Sequence, residues 1–312
     1  MPTDPTEPRH PVRLAAQRSG LTPHVLRAWE RRYRVVTPVR TEGGQRLYSD
    51  LDVERLRLLR RLTGLGHSIS QLAKLPNDEL ERTLGEEEPA AEDQPPTAEG
   101  RVVEFRSAAV RAAQRLDAGE LHALLERAVV SLGVPAFLDE VAVPSIREIG
   151  HGWETGTVTV GQEHLATVVF RRILGWIIDT VEAGEQAARL LVATPPGQVH
   201  ELGALLAGAA AAAEGWEVVY LGADLPPAEV LRAADQADVQ AVALSIVLPT
   251  GDAALMRNLM EIREGLPADV PLFLGGAAVD QDPDRFRKLG ARIIDSLSAF
   301  RASLRDLLQL RT

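Results

Sequence analysis

The sequence predicts a multidomain α and α/β chain: a winged helix-turn-helix head, a four-helix bundle, and a Rossmann-like, doubly wound parallel-sheet domain. Three observations carry that prediction. Two short helical patterns flank Gly20 and are followed by a Gly43-Gly44 hairpin. Apolar residues then recur at three-four spacing through four segments. Finally, five short apolar runs alternate with helical stretches, the order that folds into a parallel sheet. The implied boundaries are 9–84 for the head, 85–100 for a linker, 101–187 for the bundle and 188–312 for the body.

Charge is unevenly spread over the 312 residues. Lys and Arg number 34 against 44 Asp and Glu, a net −10, yet residues 1–84 alone carry 15 against 10. A basic head on an acidic chain is the asymmetry of a nucleic-acid-binding module joined to a separate body. The absence of cysteine excludes a disulfide framework, a thiolate metal site and a cysteine nucleophile. There is no signal-peptide pattern and no bilayer-length apolar run, so a cytoplasmic protein with no membrane partner is expected.

In the head, Val12–Ser19 reads as a helix stopped by Gly20. Thr22 offers an N-cap and Pro23 a first helical residue for a second helix, Pro23–Tyr33. Val25, Leu26 and Trp29 take core spacing there, which leaves His24, Arg27, Arg31 and Arg32 elsewhere on the helix. Such a helix pair places its second member in the major groove. The hairpin after it would carry Arg40 and Arg46 to the flanking phosphates. Ser49 and Asp50 then cap a helix through Leu62, and a short helix covers Ser70–Leu75.

The matching residues are Leu26-Arg-Ala-Trp-Glu-Arg-Arg-Tyr33, Arg40-Thr-Glu-Gly-Gly-Gln-Arg-Leu-Tyr-Ser49 and Asp52-Val-Glu-Arg-Leu56. On them the head resembles the winged-helix DNA-binding domain of the MerR family. That resemblance implies double-stranded operator DNA as partner. His24, Arg27 and Arg31 would read bases, while Arg32, Tyr33, Arg40, Arg46 and Tyr48 would contribute to the remaining contacts.

Residues 85–100 hold Glu86-Glu-Glu88, Pro89, Pro95 and Pro96 and no large apolar side chain, the composition of a flexible acidic linker. Four helical segments follow: Val102–Leu116, Glu120–Leu132, Pro135–Ile149 and Val160–Ala183. Asp117 reads as a cap, Gly133 as a stop and Pro135 as a start. His151-Gly-Trp-Glu-Thr-Gly156 is expected to break the third helix from the fourth. Taken alone, Trp153 in that loop reads as a plug at the bundle end, and Glu163-His164 as a solvated pair.

In the body, strands are expected at Leu190–Ala193, Glu217–Leu221, Ala241–Val247, Leu272–Leu274 and Ala291–Ile294. Ligands of open parallel sheets bind at strand C-termini. That places a site among the loops at 197–200, 222–225, 245–250 and 275–277. His200 lies in the first of them, directly before the Ala-rich run Ala204–Ala213. An imidazole there can ligate a metal through one ring nitrogen while a partner holds the other. Gly-x-Gly-x-x-Gly and phosphate-loop patterns are both absent.

Gln198-Val-His-Glu-Leu-Gly203, Ser245-Ile-Val247, Gly275-Gly276 and Tyr220-Leu-Gly-Ala-Asp-Leu-Pro226 resemble the cobalamin-binding domain of methionine synthase, corrinoid methyltransferases and cobalamin mutases. The resemblance implies that His200 is the lower axial ligand to cobalt. Ser245 would bond the displaced nucleotide tail, Gly203, Gly275 and Gly276 would give it room, and Val247 would line the same slot. The family's Asp, partner of the ligand histidine, is Gln198 here, with Glu201 as an alternative partner.

The whole order resembles the light-responsive repressors of the CarH/LitR type, and there Trp-x9-Glu-His covers the upper face of adenosylcobalamin. Trp153, Glu163 and His164 match it. The implied protein is no enzyme but a transcriptional regulator and, as in that group, a repressor. It would bind DNA in the dark as an adenosylcobalamin-stabilised oligomer, a tetramer in that group, and release it when light cleaves the cobalt–carbon bond. The residue after the Trp is Glu154, where the best-known members have a cobalt-ligating His. A light-insensitive cobalamin or other tetrapyrrole sensor is the alternative reading.

Overall fold

In the computed structural model, residues 4–41, 43–87, 98–180, 187–248 and 253–309 are described. The chain forms two compact units, Met1–Val169 and Phe170–Thr312.

In the first unit, α1 (Val12–Ser19) stops where Gly20 turns to φ 72°. Thr22 accepts a hydrogen bond from the Val25 amide at 3.2 Å, and α2 (Pro23–Tyr33) begins there, burying Val25, Leu26, Ala28 and Trp29. The wing pairs β2 (Val39–Arg40) with β3 (Arg46–Tyr48), antiparallel, with Arg40 opposite Arg46. A two-residue strand, β1 (His10–Pro11), adds to the other side of β3. A reciprocal Ser49–Asp52 capping box starts α3 (Asp50–Gly64). The short helix expected next is α4 (Ile69–Leu72).

The expected linker is helical at both edges. Leu80 and Leu84 are buried one turn apart on α5 (Asn77–Glu87), which packs on α3 and carries the chain past Gly85. At the other edge α6 (Ala98–Gln114) is already helical at Gly100. The acidic, proline-containing composition hid both helix ends. The rest of that expectation, 88–97, lies outside the described residues.

Asp117 accepts from the Glu120 amide at 2.8 Å to cap α7 (Ala118–Leu132), and Gly133 ends it at φ 78°. The third helix departs from expectation. It runs as α8 (Val134–Ala136), a π-helical stretch (Phe137–Ala142) and α9 (Val143–Glu154) without a break at His151. Gly152 does not interrupt the helix but admits the chain's return. The Thr157 and Val158 amides both bond its carbonyl, and a Cβ there would meet Val158 Cγ2 at 2.6 Å. The break therefore falls after Glu154, and α10 (Val160–Asp179) follows. Residues 181–183, expected at its end, lie outside the described residues.

The second unit is a five-stranded parallel sheet: β4 (Arg189–Ala193), β5 (Glu217–Tyr220), β6 (Ala241–Ser245), β7 (Leu272–Gly275) and β8 (Arg292–Ile293), in the order β5-β4-β6-β7-β8. The first strand is thus flanked by the second and third, which makes the β4/β6 boundary the topological switch point. One face packs its Leu191, Val242 and Leu244 with Val230 of α12 (Pro227–Gln236) and Leu259 of α13 (Ala253–Gly265). Across the other lie α11 (Leu202–Ala213) and the C-terminal helix α14 (Leu297–Gln309). Small residues let α11 close on the sheet: a Cβ at Gly208 would sit 3.4 Å from Val192 Cγ2. No helix among the described residues is long and apolar enough to cross a membrane.

Gly276 follows β7 at φ 111°, and a Cβ there would lie 2.4 Å from the Ile246 carbonyl oxygen. Left-handed strain of about 1–2 kcal/mol adds to a backbone collision. Gly276→Ala is therefore expected to lower stability by about 3 kcal/mol, read as a shift in the urea midpoint at unchanged slope.

Candidate cofactor site and nucleic-acid interface

The switch point gathers most of the residues singled out in the body. Gln198 is fully buried (0 % exposed), and its amide is consumed by the β6 exit. Its Oε1 accepts from the Val247 and Leu248 amides, both at 2.8 Å, and its Nε2 donates to the Leu248 carbonyl at 3.2 Å. Thr194 and Asp224 stitch the same loop from the other side. The Thr194 hydroxyl donates to the Gln198 carbonyl and accepts from the Asp224 amide, while the Gly197 amide donates to Asp224 Oδ1 at 2.7 Å. Asp224 holds φ 61° to do this. Neither Thr194 nor Leu248 carries a role that the sequence alone assigns. Asp224 lies inside an expected ligand loop, again without a role of its own.

This clamp presents His200 at the surface, and the imidazole has no hydrogen-bond partner among the described residues. The expectation that Gln198 or Glu201 orients it is corrected on both counts. Gln198 is spent on Val247 and Leu248. Glu201 accepts from the Tyr220 hydroxyl and pairs with Arg171 at 2.5 Å. Burial first, and the Glu201 carboxylate second, raise the Tyr220 phenol above its ordinary range, so it remains a donor.

A few residues beyond His200, the strand ends approach their neighbours at distances that only glycine allows. Ser245 Oγ is buried and has no hydrogen-bond partner among the described residues. A Cβ on Gly203 would fall 2.2 Å from that oxygen, one on Gly275 would meet Ile294 Cβ at 3.1 Å, and Gly276 admits none. An orphaned hydroxyl lined by glycines, next to an unpartnered surface imidazole, fits a corrinoid whose metal takes one protein nitrogen and whose polar tail enters the protein.

In the first unit, Trp153 lies in the last turn of α9 and is 48 % exposed, a large apolar side chain left in contact with solvent. Glu163 and His164 lie in the first turn of α10 and bond each other, Nδ1 to Oε2 at 2.6 Å. Glu163 Oε1 accepts from Thr167 at 2.7 Å. His151 and Glu154 face each other at 3.8 Å and are both exposed.

The expected DNA contacts divide into two groups. His24, Arg27 and Arg31 share one stripe of α2, with Arg40 exposed on the wing. Burial, then Arg27 and Arg31, pull the His24 imidazole down to about 4, so at neutral pH it offers one donor and one acceptor rather than a charge. The other four make contacts that the structure identifies. Tyr48 is fully buried, with its hydroxyl 2.8 Å from Glu30 Oε2, and Arg46 pairs with Glu30 Oε1 at 3.0 Å. These two brace the wing against α2, and the expectation that Tyr48 touches DNA is corrected. Arg32 and Tyr33 both turn to Glu126 of α7. Alternating Arg and Tyr beside a glycine turn reads as a phosphate grip in sequence, because an intramolecular carboxylate partner many residues away leaves no local signal.

Comparison with known proteins adds three family matches. Residues 11–78 match the MerR HTH family regulatory protein model, residues 188–300 the B12 binding domain, and residues 106–178 a second B12 binding domain model. The chain is 34 % identical over 269 residues to the HTH-type transcriptional repressor CarH of Myxococcus xanthus, covering 86 % of this chain and 88 % of that one. It is 31 % identical over 290 residues to the repressor CarA of the same organism, covering 91 % and 92 %. In fold it is similar to the monomethylamine corrinoid protein of Methanosarcina barkeri, with a TM-score of 0.51 at 17 % identity over 64 % of this chain and 97 % of that one.

Proposed function

The chain belongs to the MerR-family transcriptional regulators that carry B12-binding domains, and from that premise we propose that it is a light-responsive repressor which reads adenosylcobalamin. Regulation of transcription through a DNA-binding head and a cobalamin domain follows from the membership itself. The proposal concerns the form of the cofactor, the signal and the assembly.

The observation that carries it is the pairing of two residue sets on one chain. His200, Ser245, Gly203, Gly275 and Gly276 form a lower-face site of the right chemistry. Trp153, Glu163 and His164 supply the set that, by resemblance, meets an upper adenosyl group. The cofactor supplies a cobalt–carbon bond that light cleaves. His200 would hold the metal, and the Ser245 hydroxyl would bond the nucleotide tail. The exposed Trp153 indole gains apolar cover when the adenosyl group lies against it, which favours one arrangement of α9 and α10. Glu163, fixed by Thr167 and His164, offers an oriented acceptor to ribose hydroxyls. Without that cover Trp153 would return to solvent, and the oligomer, a tetramer by resemblance, would lose its support. Several heads on one operator bind by avidity, so dissociation of the oligomer releases DNA without any change in a single head.

Glu154 favours a particular form of this switch. The position after Trp153 holds a carboxylate facing His151, not an imidazole. An imidazole is therefore not available to the metal from that position, and His151, His164 or water would take its place after illumination. Purified protein loaded with adenosylcobalamin in the dark tests the whole reading. A green-light spectral change accompanied by a smaller gel-filtration species and loss of operator retardation is the expected result. Stable binding with no change on illumination identifies a light-insensitive cobalamin sensor instead.

A further inference from the structure

The carboxylate of Glu126 in the middle of α7 is 8 % exposed and has no role in either site described above. It nonetheless gathers three side-chain partners. Tyr33, the last residue of α2, donates its hydroxyl to Oε1 at 2.6 Å. Arg32 lies 3.6 Å from the same oxygen, and His122, one turn back on α7, lies 3.7 Å from it. Burial alone would push this carboxyl up. The nearby His122 imidazole and the Tyr33 hydrogen bond, with the Arg32 charge, hold it below its ordinary range, so it is an anion at neutral pH.

Other contacts repeat the connection on both sides of Glu126. The Arg127 guanidinium donates to the Gly66 carbonyl, in the loop after α3, at 3.1 Å. Thr22, the N-cap of α2, lies against the α7–α8 junction, where a Cβ on Gly133 would meet its Cγ2 at 3.6 Å. Both ends of α2 and the end of α3 therefore touch the bundle. His24, Arg27 and Arg31 occupy a different stripe of α2 from Arg32 and Tyr33, by helical spacing.

We propose that the Glu126 face of α7 is a docking surface for this chain's own head, a joint that fixes the head's orientation through a different stripe of α2 from the one that carries His24, Arg27 and Arg31. Arg32 and Tyr33 then belong to the joint, not to the DNA contacts. The head is not merely tethered through 88–97. A rearrangement of the bundle turns it, because the carboxylate and its phenol and guanidinium partners move as one body. The joint stands on contacts inside the first unit and does not depend on which cofactor form the chain binds.

The lack of native cysteine makes a direct test available in the full-length protein. Spin labels at Val39→Cys on the wing and Val103→Cys on α6, both exposed positions, report the head-to-bundle distance. A single narrow distribution is expected in the parent, broadening at least twofold in Glu126→Ala and in the head-only variant Arg32→Ala/Tyr33→Phe. The second variant leaves α7 untouched and keeps the test decisive if Glu126→Ala folds poorly. A broad distribution in the parent overturns the proposal, as does a distribution equally narrow in parent and variants. Operator affinity is expected to fall about tenfold in Arg32→Ala/Tyr33→Phe, from lost pre-orientation of linked heads. Its salt slope should stay unchanged, whereas a slope about one lower per lost cation would return Arg32 to the phosphate contacts.

Discussion

His200→Ala is expected to abolish the protein nitrogen on cobalt and to weaken cobalamin binding on the order of 100-fold, the upper end of what partners around a metal are worth. The cob(II)alamin form reports this directly. One axial nitrogen splits its paramagnetic resonance lines into triplets, and the splitting from an imidazole disappears when the imidazole does. Because His200 is exposed and unpartnered among the described residues, its removal costs the fold little. The thermal midpoint of the cofactor-free protein should stay within about 2 °C of the parent, in line with surface substitutions that disturb no special feature. Protein grown with nitrogen-15 histidine gives doublets, which sets a protein imidazole apart from the triplets of the cofactor's own benzimidazole nitrogen, and doublets retained in His200→Ala would move the ligand to another histidine. Ser245→Ala makes a useful contrast. It deletes a buried hydroxyl that has no partner, so the cofactor-free protein should be at least as stable while its grip on the nucleotide tail weakens.

What could be read from the sequence follows from how local each determinant is. The recognition helix was legible to the residue, because a Thr-Pro start and a buried Val25/Leu26/Trp29 face are written within one segment. The five strands and their parallel arrangement were legible because apolar runs alternating with helices admit few topologies. Glycines that mark close approach, Gly203 and Gly276, could be named before the atoms they admit were known. The failures share a cause. Gly152 reads as a helix breaker unless the returning Val158 is seen beside it. Leu80 and Leu84 are too few to announce a helix until α3 is there to cover them. Tyr48 and Arg46 look like DNA ligands until Glu30, from a different element, is found between them. In each case the deciding partner is distant in sequence, and composition cannot supply it.

Gln198 is the sharpest instance, and it gives the second large prediction. By resemblance, this position holds a carboxylate that serves the ligand histidine, which makes the amide look like a weakened substitute. The geometry employs it differently. It accepts two hydrogen bonds from the backbone at Val247 and Leu248 and donates one back, a pattern that a carboxylate cannot reproduce. Gln198→Ala would strand two amides and a carbonyl on the half-buried Val247 and Leu248, which water can partly satisfy, at about 1 kcal/mol for each group. A loss of about 3 kcal/mol from the α/β unit is expected in urea unfolding. Gln198→Glu isolates the donor. Its carboxylate keeps both amide hydrogen bonds but sets a charged oxygen against the Leu248 carbonyl, and only the protonated acid can donate there. Its folded pKa is thus raised above the unfolded value of about 4.3. The variant should approach parental stability below about pH 4, where the acid is protonated in both states. It should then lose ground as pH rises through the folded pKa, by about 1.4 kcal/mol for each tenfold difference between the folded and unfolded acid constants. The parent, whose amide does not titrate, should show no such divergence between about pH 4 and 7. A Gln198→Glu curve parallel to the parent's across that range would mean that the Leu248 contact contributes nothing, and that the clamp rests on the two amides alone.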